Sequence, residues 1–559
     1  MKAVKAAVFG VFLMLVVQAM SQEKSRKPHD GVHLPPAAIA AMERIRKENI
    51  EAHVRFLSHD LLEGRGTGAR GGDIAAEYIA TQFALYGLKP AGDNGTYMQK
   101  VPLVGITPGS DTRFTLVPAS ESGASRTDLK ILDDYVVYDQ TQQPVSDIDA
   151  PIVYVGYGID APEYNWDDYK GVDVKGKVLL MLVNQPTNDP SIFHGKALTY
   201  YGRWTYKYEE AARKGAVGAI LIHKTDMAAY GWQVVRNSNS GEKAYLQLDG
   251  SPKLNAAAWI HLDAARKLVT TAGLDLDKMM RDAQSRDFKP IELPVRLSAH
   301  ITSKVRPLES NNVIAVLPGS GALKDEGVMF TAHYDHLGIR PDMPGDNIYN
   351  GAFDNASGCG ILMELARVFA ESRLKPRRSV YFASVTAEEQ GLLGSEYLGK
   401  HPPIPADKIS LDLNYDDVRP QGSPEEVEVT GAERTTFYPF VQAAAKDFRF
   451  KIRPDAHPEA GHFYRSDHFS LARVGIPAFS INQGIKFKGH DEAWGLAQDE
   501  DYVQHHYHQP SDEYRPGLDW TSDAAMARFG FALAWQAANQ SRLIGWKKGD
   551  EFERARARP

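Results

Sequence analysis

A chain of 559 residues, 43% hydrophobic and 24% charged, is too long for one core and is expected to form two or three units. Its formal charge of -7 is mild and carries no concentrated basic block, which excludes a phosphate-backbone binder, so no nucleic-acid partner is expected. The single cysteine, Cys359, excludes an intramolecular disulfide, and its expected place is a small buried core position rather than a nucleophile.

Lys2 and Lys5 precede an apolar run from Ala6 to Val17, and Ala19-Met20-Ser21 puts small residues where a signal peptidase reads. The run is shorter than the roughly 20 apolar residues of a spanning helix. Residues 1–21 are therefore expected to be a cleaved leader. The mature chain is expected to be secreted or periplasmic, with no membrane association.

Residues 22–145 read as the N-terminal part of the main domain. Ile74, Ala75, Tyr78, Ile79 and Phe83 recur at helix spacing, and Gly87 can stop that helix. The GRGTGARGG stretch, Gly64 to Gly72, is expected to be a flexible lead-in. It lacks the Gly-Lys-Ser/Thr ending of a phosphate loop. Residues 146–295 read as a smaller inserted α/β domain. Ile152 to Val155, Val178 to Val183 and Ala219 to Ile222 are expected strands, with a helix over Glu209 to Lys214.

Residues 296–545 form the main part of the large domain, and 546–559 a polar tail. Here strand, loop and helix alternate. Asn312 to Val316, Val328 to Ala332, Val380 to Val385, Ser410 to Tyr415 and Pro477 to Ile481 are expected strands, and Gly358 to Phe369 a helix. The pattern predicts an α/β sheet with helices on both faces, whose ligands bind beyond the carboxyl ends of the strands.

Polar residues gather at those ends. His333 follows a strand in TAHYDHLG, with Asp335 two residues on. Asp354 lies in the NGAFDNASGCG turn, Glu388 and Glu389 leave a strand in TAEEQGLLGSEY, Asp416 ends one in LNYDD, and His508 sits in HHYHQPSDEY. Alone, each is an ordinary cap or surface residue. Together they are oxygen and nitrogen donors that can converge in one crevice, and His, Asp and Glu without Cys suit zinc in a hydrolytic site. One carboxylate shared by two ions, with a His and a carboxylate for each, leaves both ions open toward a shared water. Adjacent Glu residues point apart, so one can ligate while its neighbour acts as general base.

The series AHYDH, GAFDNASG, AEEQGLLGSEY, NYDD, SDHFSLARVGIPA and YHQPSDEY closely resembles the M28 zinc peptidases, the family of bacterial secreted aminopeptidases. The likeness covers about residues 50–140 and 300–540. The inserted region resembles the protease-associated (PA) domain of some members. The resemblance implies a mixed central sheet of the zinc-exopeptidase, phosphorylase/hydrolase-like type, peptide substrates and two Zn2+ ions. Asp354 would bridge the ions, His333 and Asp416 would complete one site, and Glu389 and His508 the other. Glu388 would be the general base and then the acid for the leaving amine. Asp335 would orient His333, and Tyr507 would stabilise the oxyanion. Asp417, His336, His505 and His506 would be outer or structural groups.

Two departures stand out. LNYDDV carries two Asp residues where the family commonly has one, and Asp416 is preferred to Asp417 because it follows the Asn-x pattern. The SDHF segment, Ser466 to Phe469, either shapes the substrate pocket or supports it. A metallo-carboxypeptidase or glutaminyl cyclase on the same scaffold is the alternative, and a catalytically silent, receptor-like binding protein is a further one.

Overall fold

The computed structural model describes residues 34–556 apart from 119–125, 190, 194, 196, 229, 342 and 456–457. The leader expected at 1–21 lies outside them. Among the described residues no helix is long and apolar enough to cross a membrane.

Two β-layers share one strand. Ile291–Leu317 is 27 residues long. Its C-terminal part pairs with Ser379–Val385 and Met98–Pro108, and its N-terminal part with Val145–Tyr154 and Arg113–Pro118. From Ser379–Val385 the main sheet continues in parallel through Gly327–His333, Ile409–Asn414 and Ala478–Ser480. The long strand runs antiparallel to Ser379–Val385, so the sheet is mixed.

Alternation of side chains explains why these strands read as unbroken apolar runs. Val328, Phe330 and Ala332 face a core built with the helices Lys47–Leu57, Ser357–Glu371 and Thr521–Asn539. Met329 faces the other side, where Leu398 and Leu471 pack from Leu393–Lys400 and His468–Arg473. A sheet covered on both faces demands apolar residues at successive positions. This is the expected α/β fold, a mixed central sheet with helices on both faces. Cys359 is fully buried, and its Sγ donates to His333 O over 3.1 Å.

In the second layer Val145–Tyr154, Val178–Leu182, Gly218–His223 and Ala256–His261 run parallel, and Tyr135–Tyr138 closes the edge antiparallel. The Trp204–Arg213 helix of this layer starts earlier than expected. Arg113–Pro118 and Thr127–Leu129 also belong to the layer, so it starts well before residue 146. The change of texture near Ala150 marks the parallel set and not the first strand. The boundary expected at 295 falls inside the continuous Ile291–Leu317 strand.

Two further expectations are corrected. The Gly64 to Gly72 stretch is a clamp, not a flexible lead-in. Arg65 is fully buried; its Nε donates to Tyr334 O at 2.7 Å, Nη1 to Leu57 O at 2.6 Å and Asn350 O at 2.5 Å, and Nη2 to Gly351 O at 2.8 Å. A Cβ on Gly71 would lie 1.6 Å from Leu62 O, so glycine here serves close approach of backbone. Residues 546–556 are not a solvated tail. Trp546 and Phe552 are buried, Arg434 lies 4.7 Å over the Phe552 ring, and its Nε meets Asp550 at 2.8 Å. Two aromatic anchors outweigh the basic composition around them.

Arg65→Met leaves four carbonyl oxygens without their cationic donor, and we expect it to cost at least ~3 kcal/mol, read as a lower urea midpoint at unchanged slope. His53 provides a pH test. Its ring nitrogens lie 2.9 Å and 3.2 Å from the Tyr78 and Tyr86 hydroxyls, and burial holds its pKa at about 4 against an ordinary 6.5. Between those values the unfolded chain binds a proton that the folded chain refuses. Stability therefore falls as pH drops from 6.5 toward 4, by up to ~3 kcal/mol from this residue. Unfolding free energy followed across that window should decline less steeply in His53→Gln, and identical slopes would count against this account.

Candidate metal centre

The carboxyl ends of the parallel strands deliver the polar residues to one crevice. His333 closes the Gly327–His333 strand, and Glu388 and Glu389 follow Ser379–Val385 after Ala387. Asp416 follows Ile409–Asn414, and Asp354 lies just before the Ser357–Glu371 helix. His508 comes from the loop after Glu492–His505. Ala387 and His508 have φ of 54° and 56°. Left-handed backbone at non-glycine residues is costly and tends to cluster at functional sites.

Asp354 stands between two groups. Its Oδ1 is 3.3 Å from His333 Nε2, and that nitrogen is 3.2 Å from Asp416 Oδ1. Its Oδ2 is 3.1 Å from His508 Nε2, which is 3.2 Å from Glu389 Oε2. All five expected ligand residues thus meet around one point. His333, Asp354 and Asp416 form one compact donor set, and His336, Asp354 and Glu389 form another. His336 was expected to be an outer group, yet its Nδ1 is 2.6 Å from Glu389 Oε1 and its Nε2 is buried without a partner. A histidine three residues past His333 gave no sign of turning toward a different strand.

Glu388 Oε2 lies 4.0 Å from His333 Nε2, beside the two groups rather than within them. Its side chain is 13% exposed, against 3% for Glu389. Burial, with like charge from Glu389, Asp416 and Asp467, pushes its carboxyl well above the usual range. Tyr507 sits at the rim, 44% exposed, its ring 4.0 Å from that of His508. Desolvation and then the carboxylates of Asp354, Glu389, Glu388 and Asp416 push its phenol well up, so it stays a hydrogen-bond donor.

Asp335 supports the site in a different way from the expected one. Its backbone carbonyl faces His333 Nδ1 at 3.1 Å, while its carboxylate is 3.8 Å from that nitrogen. The carboxylate accepts from Glu388 N at 3.1 Å and Thr67 Oγ1 at 3.0 Å, so it fixes the loop of the expected base. Asp416 receives the Ser466 hydroxyl at 2.5 Å, and Ser466 in turn accepts from Asn414 Nδ2 at 2.7 Å. The SDHF segment therefore supports an acidic side chain of the centre. Asp417, with φ of 60°, is half-buried and lies in the field of Arg419 instead. Asp512 accepts the backbone N–H groups of Phe353 and Asp354 at 3.0 Å and 3.1 Å. It stands four residues after His508, within YHQPSDEY. A buried carboxylate so close to an expected ligand was the available signal. His505 and His506 pair with Asp501 away from the centre.

The donor set fits divalent cations. Asp335, Asp354, Glu388, Glu389, Asp416 and Asp467 crowd one crevice, and His333, His336 and His508 are the basic side chains in direct contact with them among the described residues. Buried like charges are costly without a counter-cation. His333 and His508 are pulled well above the ordinary histidine range: burial opposes this, but the neighbouring carboxylates outweigh it. Oxygen and imidazole donors without thiolate suit zinc and similar ions.

The comparisons with known proteins agree with this chemistry. Residues 312–534 match the family model described as Peptidase family M28. A probable zinc metalloprotease of Leptosphaeria maculans is 39% identical over 116 residues, 18% of this chain and 25% of that protein. One of Pyrenophora teres f. teres is 35% identical over 111 residues, 20% of this chain and 23% of that protein. The matched stretches thus span about a quarter of those relatives. An aminopeptidase from Aneurinibacillus sp. strain AM-1 superposes with a TM-score of 0.51 at 20% identity, covering 90% of this chain and 97% of that one, and shows the same fold. The matched segment holds His333, Asp354, Glu388, Glu389, Asp416, Tyr507 and His508, and over that segment the chain is similar to peptidase family M28.

Proposed function

We propose that this protein is a zinc-dependent exopeptidase that removes residues from the N-termini of peptides. One observation carries the reading: two donor groups meet at the two oxygens of Asp354, with Glu388 Oε2 4.0 Å from His333 Nε2 of the first. Two groups sharing one carboxylate favour a pair of ions over the single ion of a cyclase. His333, Asp354 and Asp416 would hold one ion; Asp354, Glu389 and His508 the other, with His336 competing for Glu389. Zinc bound there would polarise the scissile carbonyl and make water a nucleophile at neutral pH.

The chain's own residues then set the course of the reaction. The negative field at the mouth of the crevice, where Asp416 is 20% exposed, attracts the free α-ammonium of the substrate and disfavours a blocked N-terminus. The Glu388 carboxylate takes the proton of the attacking water and hands it to the departing amine nitrogen. Asp335 keeps that carboxylate in place through the Glu388 backbone N–H. The Tyr507 hydroxyl donates to the oxyanion from the rim. The second β-layer, of PA type by its resemblance, covers one side of the crevice. The expected leader fits an exported enzyme.

The protein should release aniline from aminoacyl anilides and leave N-acetylated peptides intact. A chelator should abolish the activity and zinc should restore it, with two zinc ions per chain by elemental analysis. Glu388→Ala should lower kcat roughly 10²- to 10⁴-fold while zinc content stays unchanged. Full turnover in Glu388→Ala would remove that residue from the mechanism.

A further inference from the structure

Two arginines near the crevice, from different layers, make no ion pair with a carboxylate among the described residues. Arg203 lies between the Tyr200–Gly202 turn and the Trp204–Arg213 helix of the second layer. That segment is pinned to the main domain. The Tyr200 ring is 5.2 Å from the Phe469 ring and 5.1 Å from the Arg473 guanidinium, and Arg473 pairs with Glu209 at 3.1 Å. On its other side the layer meets the loop of the expected base. Trp204 reaches the face of Gly391, and Gln390 Oε1 accepts from Ala244 N at 3.0 Å. Arg465 is the residue before Ser466, which holds Asp416. Each arginine is therefore adjacent in sequence to a residue that touches a loop of the metal centre.

The electrostatics of the pair are unusual within this chain. Arg378 is buried and Arg434 and Arg473 are half-buried, and each has a carboxylate: Glu326, Asp550 and Glu209. Among the described residues neither the Arg203 nor the Arg465 side chain makes an ion pair or a hydrogen bond, and both Nε atoms are buried and unpartnered. The two cations lie in each other's field: burial and then Arg465 pull Arg203 down to about 10, while Tyr230, Tyr200 and Glu388 work the other way. The half-buried Tyr230 phenol feels both guanidinium groups. Two close cations with unpartnered Nε donors, a phenol beside them and no carboxylate in ion-pair contact form a site open to an anion.

We propose that Arg203, Arg465 and the Tyr230 hydroxyl form a carboxylate subsite at the Glu388 side of the crevice, selecting peptides with a carboxylate on the leaving side of the scissile bond. This rests on the exopeptidase reading and narrows its substrates. The amine end would be held by acidic groups and the far end by guanidinium, which favours short peptides whose C-terminus reaches the pair. An acidic side chain offers the same chemistry. A planar guanidinium matches a carboxylate in two-point contact, and the second layer would thereby measure substrate length.

The test is equilibrium binding to zinc-loaded Glu388→Gln, which separates recognition from turnover. Calorimetry would compare the tripeptide Leu-Ala-Ala, its C-terminal amide, and the amide of Leu-Ala-Asp. We expect the free acid to bind roughly 10- to 100-fold more tightly than its amide. Adding Arg203→Gln or Arg465→Gln should bring that ratio toward one, and Arg465→Lys should keep part of it. Equally tight binding of the aspartyl amide assigns the subsite to any nearby carboxylate; weak binding of that amide assigns it to the C-terminus. Equal affinity for acid and amide overturns the proposal, and needs no arginine variant that must fold. A ratio that survives both Gln variants overturns it as well. Turnover of leucine anilide by the unaltered chain is followed separately. Its absence sinks the exopeptidase reading, while the acid-to-amide ratio still decides the subsite.

Discussion

Negative charge buried around Asp354 is the constraint that the surrounding structure serves. Carboxylates do not gather in a dry crevice unless something positive holds them. Here the histidines are drawn toward their charged form and Asp354 is held well below the usual carboxylate range: burial works against it, but His333 and His508 outweigh that. The neutralising groups come from separate strands and loops, so no single segment could form this cluster alone. Only the assembled sheet brings His333 and His508 to opposite oxygens of one side chain.

Holding such a cluster requires that the backbone around it be satisfied. Strand ends leave carbonyl and amide groups with no ladder partner. Arg65 takes the carbonyls of Leu57, Tyr334, Asn350 and Gly351, and Asp512 takes the amides before the Ser357–Glu371 helix. Ser466 and Asp335 do the same for Asp416 and for the Glu388 loop. These residues lend the charged side chains a fixed frame. A frame made of donors and acceptors, rather than of packing alone, fixes direction as well as position.

Much of this was legible in the sequence, for a local reason. A strand buried on both faces is an unbroken apolar run, and the residue that follows it must lie at the sheet's edge. His333, Glu389 and Asp416 could therefore be placed without knowing which strands are neighbours. What escaped depends on tertiary contact. His336 is separated from His333 by two residues, but its partner Glu389 comes from the next strand. Arg65 sits among glycines that read as slack until the backbones they admit are known. The start of the second layer was missed because Arg113–Pro118 finds its partner in Ile291–Leu317, far along the chain. The 546–556 segment is basic by composition and anchored by two aromatic residues.

The shared strand also relates the two layers mechanically. Ile291–Leu317 is continuous through both sheets, and Met98–Pro108 pairs with it across their junction. A continuous, hydrogen-bonded strand resists the hinge motion that a loose linker would allow. Arg203 is fixed further by the Tyr200, Phe469 and Arg473 contacts, so the second layer presents it at a set place beside the main domain. On the proposed reading, the reacting groups lie on the main sheet and the guanidinium pair straddles the seam between the two layers. The reacting groups hang on strand ends that tolerate little change, because every one of them answers to Asp354.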